Sequence, residues 1–249
     1  MHEIYLKLKS RAEEFARKIE TPEFYRRFQK EIALSRESLQ RNNLLRQCIN
    51  HFCLEQEGLG HGYQHCLSVA IDAGAIVIIE TSSRPKQFEG SLEEMVTSVH
   101  IAGLLHDIKR DEENHAIAGA REAERVLDCF GIEERFKEYI IVAIRNHEAF
   151  KKEIPVHDKT GQLISDALYD ADKFRWGIDN FTTTVWDMLS YSEVSPEEFY
   201  ENYKKGMDYI ERIKNTFRTP TGKRYGPEII DAGLKVGRLI YEELKKELS

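Results

Sequence analysis

The sequence predicts an all-α protein. Apolar residues recur at steps of three and four along most of the chain, capping residues precede several of those runs, and no segment alternates convincingly with the two-residue period of a strand. No repeat or low-complexity stretch interrupts the pattern. With 249 residues the chain can bury a substantial core, and one domain is expected: a core of about residues 57–190, with N-terminal helices (1–56) and C-terminal helices (191–249) packed on it.

From the N-terminus to about Gln56 the spacing is helical, and Thr21 with Pro22 predicts the cap and first turn of a second, long helix. Phe24, Phe28, Leu39, Leu44, Leu45 and Ile49 are expected to pack onto the main body. Gly58 and Gly60 break the pattern before His61. Helical spacing then resumes to Glu80, with His65, Val69, Ala73 and Ile76 on one stripe. Thr81 to Gly90, TSSRPKQFEG, reads as a surface loop, and Ser91 with Glu94 predicts a capping box for the next helix. On that helix Met95, Val99, Gly103 and His106 share a face, and Gly103 would let a neighbouring backbone approach closely.

Ile108 to Asn114 is a charged connection. His115, Gly119, Ala123 and Val126 then line one side of a further helix, and Phe136, Ile140, Ala143, Ile144 and His147 line the one after it. Pro155 ends that run. Ile164, Leu168 and Asp172 follow at steps of four, so a carboxylate continues an apolar stripe and requires a charged partner. Ser195, Pro196 and Glu198 predict another capped helix. RTPTGKRYGP, Arg218 to Pro227, reads as a turn-rich basic loop, and Ile229, Ala232, Val236, Leu239 and Ile240 give the last helix its apolar face.

Lys and Arg total 36 against 43 Asp and Glu, a formal charge of −7 without long blocks of one sign, so stable nucleic-acid binding is not expected. The N-terminal segment mixes charge with spaced apolar residues and resembles neither a secretory signal nor a membrane span, which leads to the expectation of a cytoplasmic protein that does not associate with membranes. Cys48, Cys53, Cys66 and Cys129 lack CxxC spacing and are expected to be reduced core residues. Trp176, Trp186, Phe181, Tyr191 and Tyr225 are expected in the core rather than around a base.

The stretch VHIAGLLHDIKR, Val99 to Arg110, concentrates the chemistry. An apolar helical run ends in His106 and Asp107, a polar pair whose burial is costly unless it is partnered. His65, His115, His147 and Asp172 end or begin other segments and are the expected partners. Such a His and Asp set suits a divalent transition metal, whether Mn, Fe, Co, Ni or Zn, with Mg also admissible. Lys109, Arg110, Lys173 and Arg175 flank these ligands and are candidates for contacts with substrate phosphate. His61, four residues before His65, is a candidate for substrate contact or proton transfer.

HGYQHCLSVA, HIAGLLHDIKR and LYDADKFRWG, in this order, resemble the HD superfamily of metal-dependent phosphohydrolases over residues 61–177. That resemblance implies a compact helical bundle in which His65, His106, Asp107 and Asp172 hold a metal ion and a metal-bound hydroxide attacks phosphorus, with Asp107 central to the chemistry. HAIAGA at His115 and IRNHE at His147 are similar to binuclear members, implying one or two ions with Asp107 as the bridge; either histidine could instead bond substrate phosphate or a supporting carboxylate. The GYP sequence of cyclic-dinucleotide phosphodiesterases does not follow His147. Arg110 and Asp111 stand where alarmone hydrolases carry Glu-Asp. The expected substrate is a phosphoester or phosphoanhydride of a nucleotide or small phosphorylated metabolite. A di-iron oxygenase and a non-catalytic nucleotide-binding or sensory module are the alternatives, and a homo-oligomer is left open.

Overall fold

The computed structural model describes residues 2–52 and 62–249. They form twelve α-helices and, among the described residues, no strand. In order these are α1 (Glu3–Ala16), α2 (Glu23–Arg27), α3 (Gln29–Arg41), α4 (Asn43–Phe52), α5 (Tyr63–Ser83), α6 (Leu92–Leu105), α7 (His115–Leu127), α8 (Glu134–Arg145), α9 (Lys159–Phe174), α10 (Val185–Ser190), α11 (Pro196–Ile213) and α12 (Pro220–Glu247). A π-helical turn, Asn180–Thr184, leads into α10.

α5 is the axis of the molecule. Packed by α3, α6 and α9, it buries residues around most of its circumference. By length and composition it could cross a membrane, but most of that apolar surface is covered by the protein's own helices. Its contact with α6 is close because Gly103 has no side chain: a Cβ there would lie 2.6 Å from the Cα of Ala70. α8 packs on α6, α7 and α9, which brings the ends of these helices together. α1 and α11 lie against α12.

The predicted caps account for several helix starts. Ser91 accepts from the Glu94 amide and Glu94 returns a bond to the Ser91 amide, a reciprocal box typically worth about 1 kcal/mol. Ser195 caps α11 with Pro196 in its first turn. The second helix is not the long one expected: at Phe28 the backbone leaves helical geometry and separates α2 from α3. The Phe28 ring lies against Phe24 and Tyr225, so tertiary packing takes precedence over local helix continuation.

RTPTGKRYGP is also not a loop. Thr219 caps α12, Pro220 occupies its first turn, and Pro227 lies within the helix. Two buried carboxylates fasten that start. Asp170 accepts from the Arg218 and Thr219 amides and the Thr219 hydroxyl, and Glu80 accepts from the Thr221 amide and hydroxyl. Asp170 is fully buried in this task, two residues before the candidate ligand Asp172. Leu239 points outward from α12. Of the cysteines, Cys66 is buried but Cys129 is at the surface; Cys53 and the Cys48 side chain lie outside the described residues. Trp186, Phe181 and Tyr225 are core residues, Trp176 is half-buried, and Tyr191 is exposed.

Candidate metal centre

Five segments deliver six side chains to one place. His65 lies in the first turn of α5, His106 and Asp107 follow α6, and His115 is the first residue of α7. His147 sits just beyond α8, and Asp172 is in the last turn of α9. Helix ends converge here, so the polar groups of consecutive elements meet without breaking the apolar interior of any helix.

Asp107 stands between two sets of donors. Its Oδ2 lies 3.4 Å from His106 Nε2 and 3.9 Å from His65 Nε2, and those two nitrogens are 3.3 Å apart. Asp172 Oδ1 joins them, 3.4 Å from His65 and 3.7 Å from His106. The other oxygen of Asp107, Oδ1, lies 3.6 Å from His115 Nε2 and 3.4 Å from His147 Nε2, with those nitrogens 3.2 Å apart. Donors bound at about 2.1 Å to a first-row ion are roughly 3.0–3.5 Å from one another. The spacing and the His/Asp chemistry therefore fit metal ions, and both groups of residues could hold one.

The imidazoles are oriented for this. His106 Nδ1 lies 2.8 Å from the Gly103 carbonyl and His147 Nδ1 lies 2.6 Å from that of Ile144. A carbonyl can only accept, so each ring donates from Nδ1 and, when neutral, turns the lone pair of Nε2 toward Asp107. Burial pushes His106 down, but Asp107 and Asp172 outweigh it and raise its pKa to about 10, which marks this half of the centre as one that draws positive charge. In the other half, burial together with His147 and Arg110 lowers His115 to about 4, so its ring is neutral and able to donate a lone pair near pH 7. For Asp172, burial acts upward, while Lys173 and the histidines hold the carboxyl well below the usual carboxylate range.

The four basic candidates separate. Arg110 reaches the centre, its guanidinium 2.8 Å from His115 Nε2 and 3.8 Å from Asp107 Oδ1. Lys173 is buried beside it, with Nζ 2.5 Å from Asp172 Oδ2 and 2.9 Å from the His147 carbonyl. Lys109 pairs with Glu112 at the surface. Arg175 is engaged away from the candidate ligands: its guanidinium bonds Tyr25 and Asp72 and lies 2.6 Å from Asp179, a network that ties the end of α9 to α2 and α5. Arg175 is the C-cap residue of α9, just beyond the last turn that carries Asp172. His61 lies outside the described residues.

Asn146 supports the His147 segment in a way that periodicity did not signal. Its side chain donates to the Ile154 carbonyl and accepts from the Ile154 amide, closing the loop after α8. Arg218 from the α12 start donates to the Asn146 carbonyl.

Comparison with known proteins adds a family. The family model of the HD domain matches residues 62–176. The chain is also similar to the crystal structure of a predicted HD superfamily hydrolase from an uncultured Thermotogales bacterium, with a TM-score of 0.46 and 22% identity over 86% of this chain and 98% of that one. Among curated proteins none matches. The matched span contains all six converging side chains, His65, His106, Asp107, His115, His147 and Asp172, and residues 62–176 are an HD domain.

Proposed function

We propose that the chain is a metal-dependent phosphohydrolase acting on a phosphoester or phosphoanhydride of a nucleotide or other small phosphorylated metabolite. The observation that carries this reading is the placement of Asp107, each of whose oxygens faces its own pair of imidazoles. His65, His106, Asp107 and Asp172 would hold one divalent ion, with His115 and His147 sharing Asp107 to hold a second. Ions bound there would polarise a phosphoryl oxygen and lower the pKa of water. Arg110, half-buried at the edge of the centre, supplies a fixed positive group for phosphate oxygens. Lys173 holds the Asp172 carboxylate ionised from the side away from the histidines and takes the part of a positioning residue. Mn, Fe, Co, Ni, Zn and Mg are all compatible with this donor set.

Metal analysis of the purified protein, run beside a phosphate-release screen over nucleotides and sugar phosphates with each ion, tests the reading. Asp107→Ala and His106→Ala should lose bound metal and hydrolysis together, and His115→Ala should lose one of two equivalents. Undiminished hydrolysis in Asp107→Ala would refute the proposal, as would oxygen consumption without phosphate release.

A further inference from the structure

Beside the metal centre lies a cluster of aromatic and cationic side chains partly built from outside the HD domain. Phe150 follows His147 by three residues and is 46% exposed. Its backbone is in the left-handed region at φ 62°, the only such residue other than glycine among the described residues. A residue with a Cβ is strained in that conformation and persists there only when its surroundings impose it. The two hydrogen bonds between the Asn146 side chain and the Ile154 backbone do so, because they close the intervening chain into a tight excursion. The excursion holds an apolar ring in solvent near the site.

Two residues of α11 meet that ring. Tyr209 lies edge-on to it at 5.3 Å between centroids, and the Arg212 guanidinium lies over it at 4.5 Å. Tyr209, itself 37% exposed, also touches Trp176 at 5.4 Å, four residues beyond Asp172. The cluster is linked to the centre: Arg212, Glu148, Arg110 and Asp172 all act electrostatically on the Tyr209 hydroxyl. Two exposed rings, Phe150 and Tyr209, with half-buried Trp176 beside them and the Arg212 guanidinium over one of them, form the kind of surface on which a flat heteroaromatic ring stacks. A sugar phosphate has no planar group to use it.

We infer that Phe150, Tyr209, Trp176 and Arg212 form a specificity lip that stacks the base of a nucleotide while its phosphate reaches Arg110 and the metal centre. The inference deepens the phosphohydrolase reading and rests on it for the chemistry at phosphorus. It assigns to α11, outside residues 62–176, the discrimination of nucleotides from sugar phosphates.

The test compares adenosine and guanosine 5′-monophosphates with ribose 5-phosphate on the full chain with Mn²⁺. Phe150→Gly suits the purpose because glycine accepts the positive φ and removes only the ring; Tyr209→Ala and Trp176→Phe complement it. The preference for nucleotide over ribose phosphate, measured as the ratio of kcat/KM values, should fall roughly ten-fold in Phe150→Gly and in Tyr209→Ala, the effect of losing one stacked ring. In parallel, adenosine 5′-monophosphate should quench tryptophan fluorescence in the wild type, less so in Trp176→Phe, and with about ten-fold weaker binding in Phe150→Gly. Phosphate release with an unchanged ratio in both ring-deletion variants would overturn the lip and leave the hydrolase reading standing. Quenching that weakens in Phe150→Gly, without hydrolysis of any phosphate, would support the lip and overturn the hydrolase reading. Quenching unaffected by these substitutions, again without hydrolysis, would overturn both.

Discussion

The Lys173 ammonium lies 2.5 Å from Oδ2 of Asp172, so two residues adjacent in sequence form a buried ion pair at the edge of the metal centre. The lysine also donates to the His147 carbonyl, while the other oxygen of Asp172 faces His65 and His106. A single cation thus joins two of the segments that carry candidate ligands and leaves Asp172 Oδ1 turned toward the imidazoles.

Lys173→Met should therefore damage stability and metal binding together. Removing one member of a buried pair strands the other, typically at about 3–5 kcal/mol, and losing a ligand's supporting partner weakens metal affinity by about 10–100-fold. Urea denaturation and a metal titration at equal protein concentration measure the two effects. Metal affinity unchanged in a folded Lys173→Met protein would show that the lysine does not position Asp172.

The helices could be read from the sequence because they depend on short-range pattern, a stripe at steps of three and four having one buried face. The grouping of the six side chains rests instead on the order of the motifs that resemble the HD superfamily, since no periodicity joins segments so far apart. Other features depend on remote partners. The segment from Arg218 to Pro227 resembles a loop by composition, yet Asp170 and Glu80, far away in sequence, satisfy the amides that start α12. Arg175 resembles a phosphate ligand until Asp72, 103 positions earlier, is seen beside it. Phe150 and Tyr209 are separated by α9, the π-helical turn, α10 and most of α11, and no local signal joins them.

Glycines distinguish helix propensity from packing, and two of them should respond with opposite signs. Gly206 is inside α11 with open space where a Cβ would be, so Gly206→Ala should stabilise by about 0.5–1 kcal/mol. Gly233, in α12, faces the backbone of Gly177, and an added Cβ would overlap a main chain that cannot rotate away. Gly233→Ala should destabilise by about 1–3 kcal/mol. Thermal or urea melts of the two variants decide the matter, and equal shifts would refute the close approach.

The Asp72 and Arg175 pair is expected to be strongly non-additive. Asp72→Leu leaves a buried guanidinium with only Asp179 and Tyr25, at a cost of about 3–5 kcal/mol. Arg175→Met in that background should recover much of the loss, because replacing both charges removes the desolvation penalty as well as the attraction. A double-mutant cycle on urea unfolding free energies measures the coupling. Additive single losses would mean that the two side chains do not depend on each other.

His100 makes stability depend on pH at a site outside the metal centre. Its Nε2 lies 2.9 Å from Ser35 Oγ, and the Ser35 hydroxyl gives its proton to the Ile71 carbonyl at 2.7 Å, so the imidazole donates from Nε2 and is neutral at Nδ1. Nδ1 is buried without a hydrogen-bond partner. A second proton there would create an unpaired buried cation, and burial accordingly lowers the pKa from 6.5 to about 3. Because the folded-state value is the lower one, the unfolded chain takes up this proton first as the solution is acidified. The stabilising contribution is complete above about pH 6.5 and is lost progressively as pH falls toward 3. At roughly 1.4 kcal/mol per pH unit, the wild type should lose about 2 kcal/mol relative to His100→Leu between pH 7 and pH 5. Urea unfolding of both proteins across that interval measures the difference, and parallel pH profiles would show that His100 accepts a proton in the folded protein as easily as in the unfolded one.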